Sequence, residues 1–299
     1  MRLSTRLTAA MVALVLLTAI AIGVLTDRNI AAVILPHELN RIDALTRLAA
    51  LGLEASVRNA RADIVGFRSA VAVDGIVRTS LAGGVDPVDH TTLLQWRDRL
   101  AGRFVAELTS KLDYSQFRVI GIADGGREIV RVDRSGPGET IRIVPDNELQ
   151  RQSDRDFFQR AMRLPPGEID ISEVVLDRER DVVVTPEVPT LRATAPIFAP
   201  DGQFFGIVII NVDLRPAFDR IRSARHEGGR IYVVNERGDY LVHPDPRREF
   251  GFERGKLFRV QDDFPEFAAM MSMTETPPRV IEDRSGERFG VGWQDVRLA

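Results

Sequence analysis

The sequence predicts an α+β protein. An N-terminal transmembrane helix and a long amphipathic helix precede two antiparallel sheets flanked by helices, the second sheet being incomplete. Three observations predict this fold class. An uncharged apolar segment lies near the N-terminus, a helical repeat of apolar residues follows it, and from residue 117 onward short strands alternate with tight turns.

The composition of the 299-residue chain is that of a globular protein, and it excludes several function classes. The 40 Lys and Arg residues against 43 Asp and Glu give a net charge of -3, which argues against nucleic-acid binding. Cysteine is absent, so disulfides, thiolate metal sites and a cysteine nucleophile are excluded. No phosphate-binding glycine loop, nucleophile elbow or metal-ligand spacing is present among the histidines, which are His37, His90, His226 and His243. We therefore predict no enzyme activity for this region and no cofactor.

The apolar run from Leu7 to Leu25 has about 19 uncharged residues, close to the roughly 20 that cross a bilayer as a helix. Arg2 and Arg6 precede it, and basic residues before a span favour a cytoplasmic N-terminus. We therefore predict that residues 1–29 comprise the cytoplasmic N-terminus and a single transmembrane helix, with the remainder outside. A cleaved signal peptide is the alternative, because Ala19-Ile20-Ala21 resembles a weak cleavage site.

The segment from Pro36 to Leu81 predicts one long amphipathic helix, because its apolar residues recur at spacings of three and four. We assign residues 30–80 to a stalk through which two copies of the chain form a homodimer. A loop follows, and a second helix is predicted from Asp89 to Leu112, with Thr91 or Asp89 as its cap.

The next residues predict an antiparallel sheet, and we assign residues 81–227 to the first outer domain. The run from Phe205 to Asp213 is almost wholly apolar, which predicts a central strand covered on both faces. A helix from Arg215 to Arg225 follows it. The other predicted elements are strands at Phe117–Ile122, Ile129–Val132, Thr140–Val144, Glu168–Leu176 and Thr190–Phe198, a turn at Asp124–Gly126 and a helix at Asn147–Met162.

A second strand-turn-strand pattern begins after Gly228-Gly229, with strands at Ile231–Asn235 and Tyr240–His243. Repetition of one supersecondary unit predicts a related second domain at residues 228–299, although a chance hairpin is the alternative. Further strands are predicted at Arg279–Glu282 and Phe289–Trp293. No long apolar strand follows them before Ala299, so we expect this domain to be truncated.

The order of these elements, the Arg155–Phe158 segment and the Phe205-Gly206-Ile207-Val208 strand that ends in Asp213 resemble the double Cache sensor domains. These tandem PAS-like domains precede bacterial histidine kinases, chemoreceptors and diguanylate cyclases, and the resemblance covers roughly residues 30–299. It implies the periplasmic sensory region of a receptor in the bacterial inner membrane, most like a sensor histidine kinase. In most such proteins the membrane-distal domain, here the first one, binds a small molecule.

The resemblance also implies a ligand pocket. Arg155-Asp156-Phe157-Phe158 resembles the Arg-x-Trp-Tyr motif of amino-acid-binding members, and Asp213 stands where these members place the carboxylate that receives an ammonium group. Arg192 interrupts an apolar strand and is a further candidate. A guanidinium binds a carboxylate bidentately, and aromatic rings form an apolar wall that tolerates cations. Gln150 stands where a tyrosine is expected, so an organic acid or another small anion fits at least as well as an amino acid.

Each candidate residue has a structural alternative. Phe157 and Phe158 also fit the core face of a helix, Arg155 and Arg192 fit solvated positions, and Asp213 fits the cap of the helix that begins near Arg215. Other functions also remain open, namely the sensory region of a chemoreceptor or diguanylate cyclase, a membrane-anchored periplasmic enzyme and a protein-binding module.

Overall fold

A computed structural model describes residues 3–135, 140–224, 228–273 and 276–296, without the side chains of residues 3–7, 9, 27, 29–31 and 135. Arg2, the predicted helix end at Arg225, His226 and the side chains of Arg6 and Leu7 lie outside this description. The chain divides into two compact units, one formed by Leu51–Val260 and the other by Met1–Ala50 with Gln261–Asp295.

The N-terminal helix α1 (Leu3–Asn29) continues through a π-helical stretch (Ile30–Ile34) into α2 (Leu35–Arg68). Apolar side chains of α1 are exposed, among them Leu17 at 67%. Among the residues and side chains described here, no helix meets the length and apolarity of a membrane span.

The long helix predicted from Pro36 to Leu81 is in fact two helices, because the chain breaks at Ser69-Ala70 before α3 (Val71–Leu81). Ala70 adopts an extended conformation with ψ 137°. In α3 the backbone of Gly75 lies against the indole ring of Trp96, so close that a Cβ atom would overlap the ring. Tertiary packing therefore overrides the continuous helical pattern.

Helix α4 (Leu93–Ser110) is shorter than predicted and has a different cap. Thr92 Oγ1 accepts a hydrogen bond from the Gln95 backbone at 3.3 Å, and Gln95 Oε1 accepts one from the Thr92 backbone at 2.9 Å. This reciprocal capping box fixes the start of the helix, and the prediction of Thr91 or Asp89 was wrong. Leu112, the predicted end of the helix, lies beyond Ser110 and is 69% exposed.

The unit built on Leu51–Val260 contains a seven-stranded antiparallel sheet in the order β3-β2-β1-β9-β8-β4, with β5 also paired to β8. The central strand β9 is buried from Gly206 to Asp213, as predicted for a strand covered on both faces. The bounds are β1 Tyr114–Gly121, a turn α5 Ala123–Gly126, β2 Glu128–Ser135, β3 Thr140–Ile143, β4 Asp170–Ile171, β5 Val175–Leu176, β8 Pro189–Phe198 and β9 Phe204–Asp213.

Each face of the sheet has its own apolar core. On one face Phe117 of β1 packs against Phe67 of α2 and Phe104 of α4, with ring centroids 4.9 Å away in both cases. On the other face Phe158 packs in a buried cluster with Ile120, Phe157, Ala161, Ile207 and Ile209. Consecutive residues of a strand point to opposite faces, so the residues that follow Phe117 alternate between the two cores.

The prediction of a helix from Asn147 to Met162 is also wrong over most of that length. The chain forms a 3-10 turn at Asp146–Glu148 and then runs extended to a short helix α6 (Asp156–Ala161). The Glu128 backbone N–H donates to Gln150 O at 2.9 Å, and the Gln150 N–H donates to Glu128 Oε2 at 3.0 Å. These bonds to the edge of β2 hold the segment extended. The strand predicted at Glu168–Leu176 is likewise only the short pieces β4 and β5.

A small hairpin, formed by β6 (Arg178–Glu179) and β7 (Val182–Val183), stands outside the main sheet. Helix α7 (Arg215–Ser223) follows β9. The hairpin predicted near Tyr240 is confirmed as β10 (Val233–Val234) and β11 (Tyr240–Val242), and a 3-10 turn follows at Gly251–Arg254.

The other unit contains α1, the start of α2 and residues 261–295. Its further elements are α8 (Val260–Asp263, mostly in this unit), α9 (Phe267–Met270) and the strands β12 (Arg279–Glu282) and β13 (Arg288–Val291). Both strands were predicted, the second at Phe289–Trp293, and they pair as a hairpin. Gln294 donates a hydrogen bond to Asp43 of α2 at 3.0 Å. In the described residues after 228, the strands form two separate two-stranded sheets.

Candidate functional site

A polar cavity of about 120 Å³ lies on the face of the sheet opposite α2 and α4. The strands β1, β2 and β8 form its floor, the extended segment before α6 forms one wall, and the β6–β7 hairpin covers it. Its lining residues are Gln116, Arg118, Arg131, Gln150, Arg151, Gln152, Asp154, Arg155, Phe157, Arg178, Glu179, Arg180, Asp181 and Arg192. We call it the arginine cavity.

Three buried guanidinium groups reach the arginine cavity from three different strands. Arg118 of β1 stands directly opposite Arg131 of β2 in the strand register, and Arg192 of β8 stands opposite Asn211 of β9. The side chains of Arg118, Arg131 and Arg192 are only 8%, 8% and 15% exposed. The alternation of side chains along each strand thus places all three on one face.

Carboxylates neutralise these guanidinium groups only in part. Arg131 makes ion pairs with Asp133 at 2.9 Å and with Glu179 at 2.7 Å. Burial opposes the charge of Arg131, but these carboxylates outweigh it and raise its pKa. Arg118 donates to the fully buried Glu128 at 3.3 Å.

Arg192 has the weakest pairing of the three. Its nearest carboxylate oxygen, on Asp177, is 3.6 Å away. Burial first, and the neighbouring charge of Arg118 second, lower the pKa of Arg192 to about 10. In the same environment burial raises the pKa of the Asp177 carboxyl, although Arg192 opposes this rise.

Two donors in the cavity have no hydrogen-bond partner in the described part of the chain. They are the buried Nε–H groups of Arg118 and Arg192. A buried donor without an acceptor costs about 1–3 kcal/mol, more for a charged group. An anion that reached these donors would supply the missing acceptors, and a carboxylate fits the planar guanidinium fork.

The ring of Phe157 forms the apolar part of the cavity. The Cζ atoms of Arg118 and Arg192 lie 5.5 and 5.8 Å from its centroid, within the range of cation–π contact. Phe158, the next residue of the same buried cluster, does not line the cavity; it is fully buried and packs edge-on against Phe204 at 5.9 Å. The helical turn of α6 therefore gives the two phenylalanines different roles.

Arg155 lies at the mouth of the arginine cavity, where its guanidinium makes an ion pair with Asp181 at the tip of the hairpin. Asp213 does not line the cavity. Its Oδ1 accepts a hydrogen bond from the Arg215 backbone at 2.8 Å, and the Arg215 guanidinium also donates to it, so Asp213 organises the turn into α7. Of the five predicted site residues, the structure brings Arg155, Phe157 and Arg192 together.

Sequence reasoning missed Arg118, Arg131 and the neighbouring amides of Gln116 and Asn211. Gln116 donates to Asp133 at 2.7 Å, and Asn211 donates to Gln116 at 3.3 Å, so these amides hold the floor of the cavity. A signal was present in the sequence, because each of the strands β1, β2 and β8 carries an arginine between apolar residues. The strand register that places these arginines side by side was not evident from the sequence.

A larger cavity of about 480 Å³ lies at the other end of β1, beside the α5 turn. Its exposed lining area is mainly apolar, and two of its charged residues, Arg97 and Asp146, make an ion pair with each other. The other charged lining residues are Asp124, Arg127, Glu128 and Asp201, so acidic residues outnumber basic ones. None of the five predicted residues lines it. The arginine cavity is therefore the better candidate for recognition of a charged ligand.

The sequence profile of the family described as "Bacterial histidine kinase, sensor domain" matches residues 94–278, more than half of the chain. The chain belongs to this family. The match includes the whole sheet of this sensor domain and the arginine cavity. The predicted sensory function is thereby confirmed. No curated protein sequence is significantly similar to the sensor domain.

Solved structures of extracellular sensor domains share its fold, which confirms the resemblance stated from the sequence. An extracellular domain assigned to a histidine kinase, vpHK1S-Z8, is 19% identical, with a TM-score of 0.58 over 81% of this chain and 83% of that chain. The amino acid chemoreceptor PctC of Pseudomonas aeruginosa PAO1, solved with GABA, is 14% identical, with a TM-score of 0.53 over 86% and 92%. The chemoreceptor Tlp3 of Campylobacter jejuni, solved with L-valine, is 9% identical, with a TM-score of 0.57 over 85% and 86%.

Proposed function

We propose that this sensor domain binds a small organic carboxylate in the arginine cavity as the periplasmic sensory region of a receptor histidine kinase. The observation that carries the proposal is the pair of buried Nε–H donors on Arg118 and Arg192, which flank the ring of Phe157. Family membership supports the kinase output.

A carboxylate without an ammonium group fits the cavity better than an amino acid does. The acidic residues that line it are Asp154, Glu179 and Asp181, and the last two already make ion pairs with Arg131 and Arg155. Asp213, the expected acceptor for an ammonium group, is bound to Arg215 outside the cavity. An ammonium group would therefore enter a site rich in guanidinium groups, which repel it.

The test is thermal unfolding of the full chain in nanodiscs with acetate, pyruvate, succinate, L-malate and, for comparison, L-alanine. A ligand at about 100 times its Kd stabilises the folded state by about 2.7 kcal/mol, which raises the Tm by several degrees. We expect at least one carboxylate to do so and L-alanine not to do so. If L-alanine stabilises the chain and the four acids do not, the proposed ligand class is wrong, and if none of the five does, carboxylate sensing is wrong.

Arg192→Met with Arg247→Met as its control locates the binding site. Arg247 is a 90% exposed arginine paired with Asp245, so its replacement makes the same change in charge outside the cavity. Arg192→Met should abolish the stabilisation by the carboxylate, while Arg247→Met should retain it. Stabilisation that survives in Arg192→Met would place the ligand elsewhere.

For the membrane anchor, the support is the uncharged run from Leu7 to Leu25, whose described large apolar side chains are exposed on α1. We extend the proposal to a single span with the bulk of the chain in the periplasm. Protease added to the periplasmic side of intact cells should digest the chain beyond α1, and full protection would contradict this orientation.

The proposed organisation keeps residues 1–29 as the anchor, 30–80 as the stalk, 81–227 as the membrane-distal Cache domain and 228–299 as part of a membrane-proximal one. The repeated strand-turn-strand pattern at Tyr240 supports the second domain.

A homodimer through α2 completes the proposal. Positions at alternating spacings of three and four along α2 form a stripe of mostly small and apolar residues, which is typical of a helix that pairs with its own copy. Leu48, Leu51 and Val65 within it are 66%, 49% and 40% exposed. The stripe is Ala44, Leu48, Leu51, Ala55, Arg58, Ala62 and Val65.

A further inference from the structure

The β6–β7 hairpin, which covers the arginine cavity, has almost no apolar attachment. Its two strands pair only with each other, and Val182 is 69% exposed. Its turn residues Arg180 and Asp181 both have left-handed φ angles, 50° and 67°. A segment with few buried apolar contacts opens at a low free-energy cost compared with the core of a domain.

Ion pairs with cavity arginines hold this hairpin in place. Both carboxylate oxygens of Glu179 accept from Arg131, at 3.3 and 2.7 Å, in the bidentate arrangement that a guanidinium offers to a free carboxylate. Gln150 also donates to Glu179, and Asp181 at the tip pairs with Arg155. The Glu179 side chain is 45% exposed, whereas its partner Arg131 is 8% exposed, so the carboxylate reaches inward from the surface.

The base of the hairpin is attached to the 3-10 turn at Gly251–Arg254. Arg178 donates to Glu253 at 2.6 Å, and the Leu176 backbone donates to the same carboxylate at 3.3 Å. Glu179 and Arg178 are adjacent in sequence, so a hairpin that leaves Arg131 must also change the geometry at Glu253.

We infer that Glu179 acts as a built-in competitor, whose carboxylate occupies Arg131 in the empty cavity and is displaced by the carboxylate of the ligand. Displacement frees the hairpin from the sheet and shifts Arg178 against Glu253, which passes the occupancy of the cavity to residues beyond 228. This inference rests on the proposed function, because it needs a carboxylate ligand in the arginine cavity.

Glu179→Gln tests the inference, and Glu187→Gln is its matched control. Glu187 is 46% exposed and binds Arg254 outside the cavity, so the control removes an equally exposed, arginine-bound carboxylate. The probe is whichever of acetate, pyruvate, succinate or L-malate binds the full chain most tightly, titrated by calorimetry in nanodiscs. Removal of a partly exposed competing ion pair should tighten binding about 3- to 10-fold in Glu179→Gln and leave Glu187→Gln unchanged.

Hydrogen exchange provides a second readout that needs no ligand. The backbone amides of residues 178–184 should exchange faster in Glu179→Gln than in the wild type or in Glu187→Gln, and saturating carboxylate should produce the same acceleration in the wild type. Equal or weaker binding by Glu179→Gln, or a hairpin that the carboxylate protects from exchange, would overturn the inference while leaving carboxylate sensing intact. Absence of carboxylate binding to both the wild type and Glu179→Gln would overturn the proposed function as well.

Discussion

Arg118 and Arg131 face each other directly across β1 and β2, and the carboxylate of Glu128 lies 3.3 Å from Arg118 and 3.9 Å from Arg131. Like charges at opposed positions destabilise a sheet. Glu128 is fully buried and accepts further hydrogen bonds from the Gln150 backbone and from Gln152. Glu128 is therefore the carboxylate that the two arginines share, while Asp133 and Glu179 pair with Arg131 alone.

Glu128→Gln should lower the free energy of unfolding by about 3 kcal/mol, because it leaves two buried guanidinium groups without the charge between them. Urea unfolding measures the change. Glu148→Gln is the control, since the exposed Glu148 pairs with the exposed Arg142 and its loss should cost below about 1 kcal/mol. Equal losses in the two variants would show that Glu128 does not compensate the arginine pair.

Carboxylate binding should tighten as the pH falls from 7.5 towards 5. Burial raises the pKa of Asp177 above its usual value, so Asp177 gains its proton before ordinary aspartates do. Protonation removes the negative charge nearest to Arg192 and makes the cavity more positive for an anionic ligand. Binding measured by calorimetry should therefore strengthen with decreasing pH until the ligand itself is protonated.

Asp177→Asn gives the control for this pH dependence. It should bind the carboxylate more tightly than the wild type at pH 7.5 and show a flatter profile above pH 5, because the titrating group is gone. A variant that retains the slope of the wild type would assign the pH dependence to another group.

Gly206→Ala should destabilise the domain by about 2–3 kcal/mol, because an added Cβ would overlap the carbonyl oxygen of Ile120 on the adjacent strand. That oxygen belongs to the backbone of the central sheet and has little freedom to move. Gly102→Ala is the control, since Gly102 lies in α4 with nothing within 4 Å of the new Cβ, and it should stabilise by about 0.5–1 kcal/mol. Thermal unfolding of both variants measures these changes in stability. An unchanged Tm in Gly206→Ala would contradict the close approach of β1 and β9.

Leu51→Glu should weaken the proposed dimer of α2 helices at least about 10-fold, because it places a charge in the apolar stripe. Sedimentation of the full chain in detergent measures the dimer dissociation constant. Leu94→Glu replaces a comparably exposed leucine, 62% against 49%, on α4 and should leave the constant unchanged. A dimer insensitive to Leu51→Glu does not use this stripe.

The sequence predicted the parts of the fold that depend on local pattern. The strands at β8 and β9, the helix after Asp213 and the hairpin at Tyr240 follow from apolar runs and turn residues. The errors lie where distant residues decide the conformation. Trp96 packs against Gly75 beyond the break between α2 and α3, and the edge of β2 holds Gln150 extended where a helix was expected.

The candidate site shows the same difference between residues predicted from local pattern and residues placed by distant contacts. Arg155 and Phe157 were predicted from a contiguous motif, and Arg192 was predicted because it interrupts an apolar strand. All three line the arginine cavity. Arg118 and Arg131 join them only through strand pairing, which one sequence does not reveal. Asp213 is the residue type expected of an ammonium acceptor, but its carboxylate accepts a hydrogen bond from the nearby Arg215.

Phe117 and Arg118 are neighbours in β1, and they point in opposite directions. The ring of Phe117 touches Phe67 of α2, while the guanidinium of Arg118 reaches the cavity. A ligand that shifted Arg118 would therefore also shift the backbone that carries Phe117 and its contact with α2. A single strand thus connects the candidate cavity on one face of the sheet with the long N-terminal helix on the other.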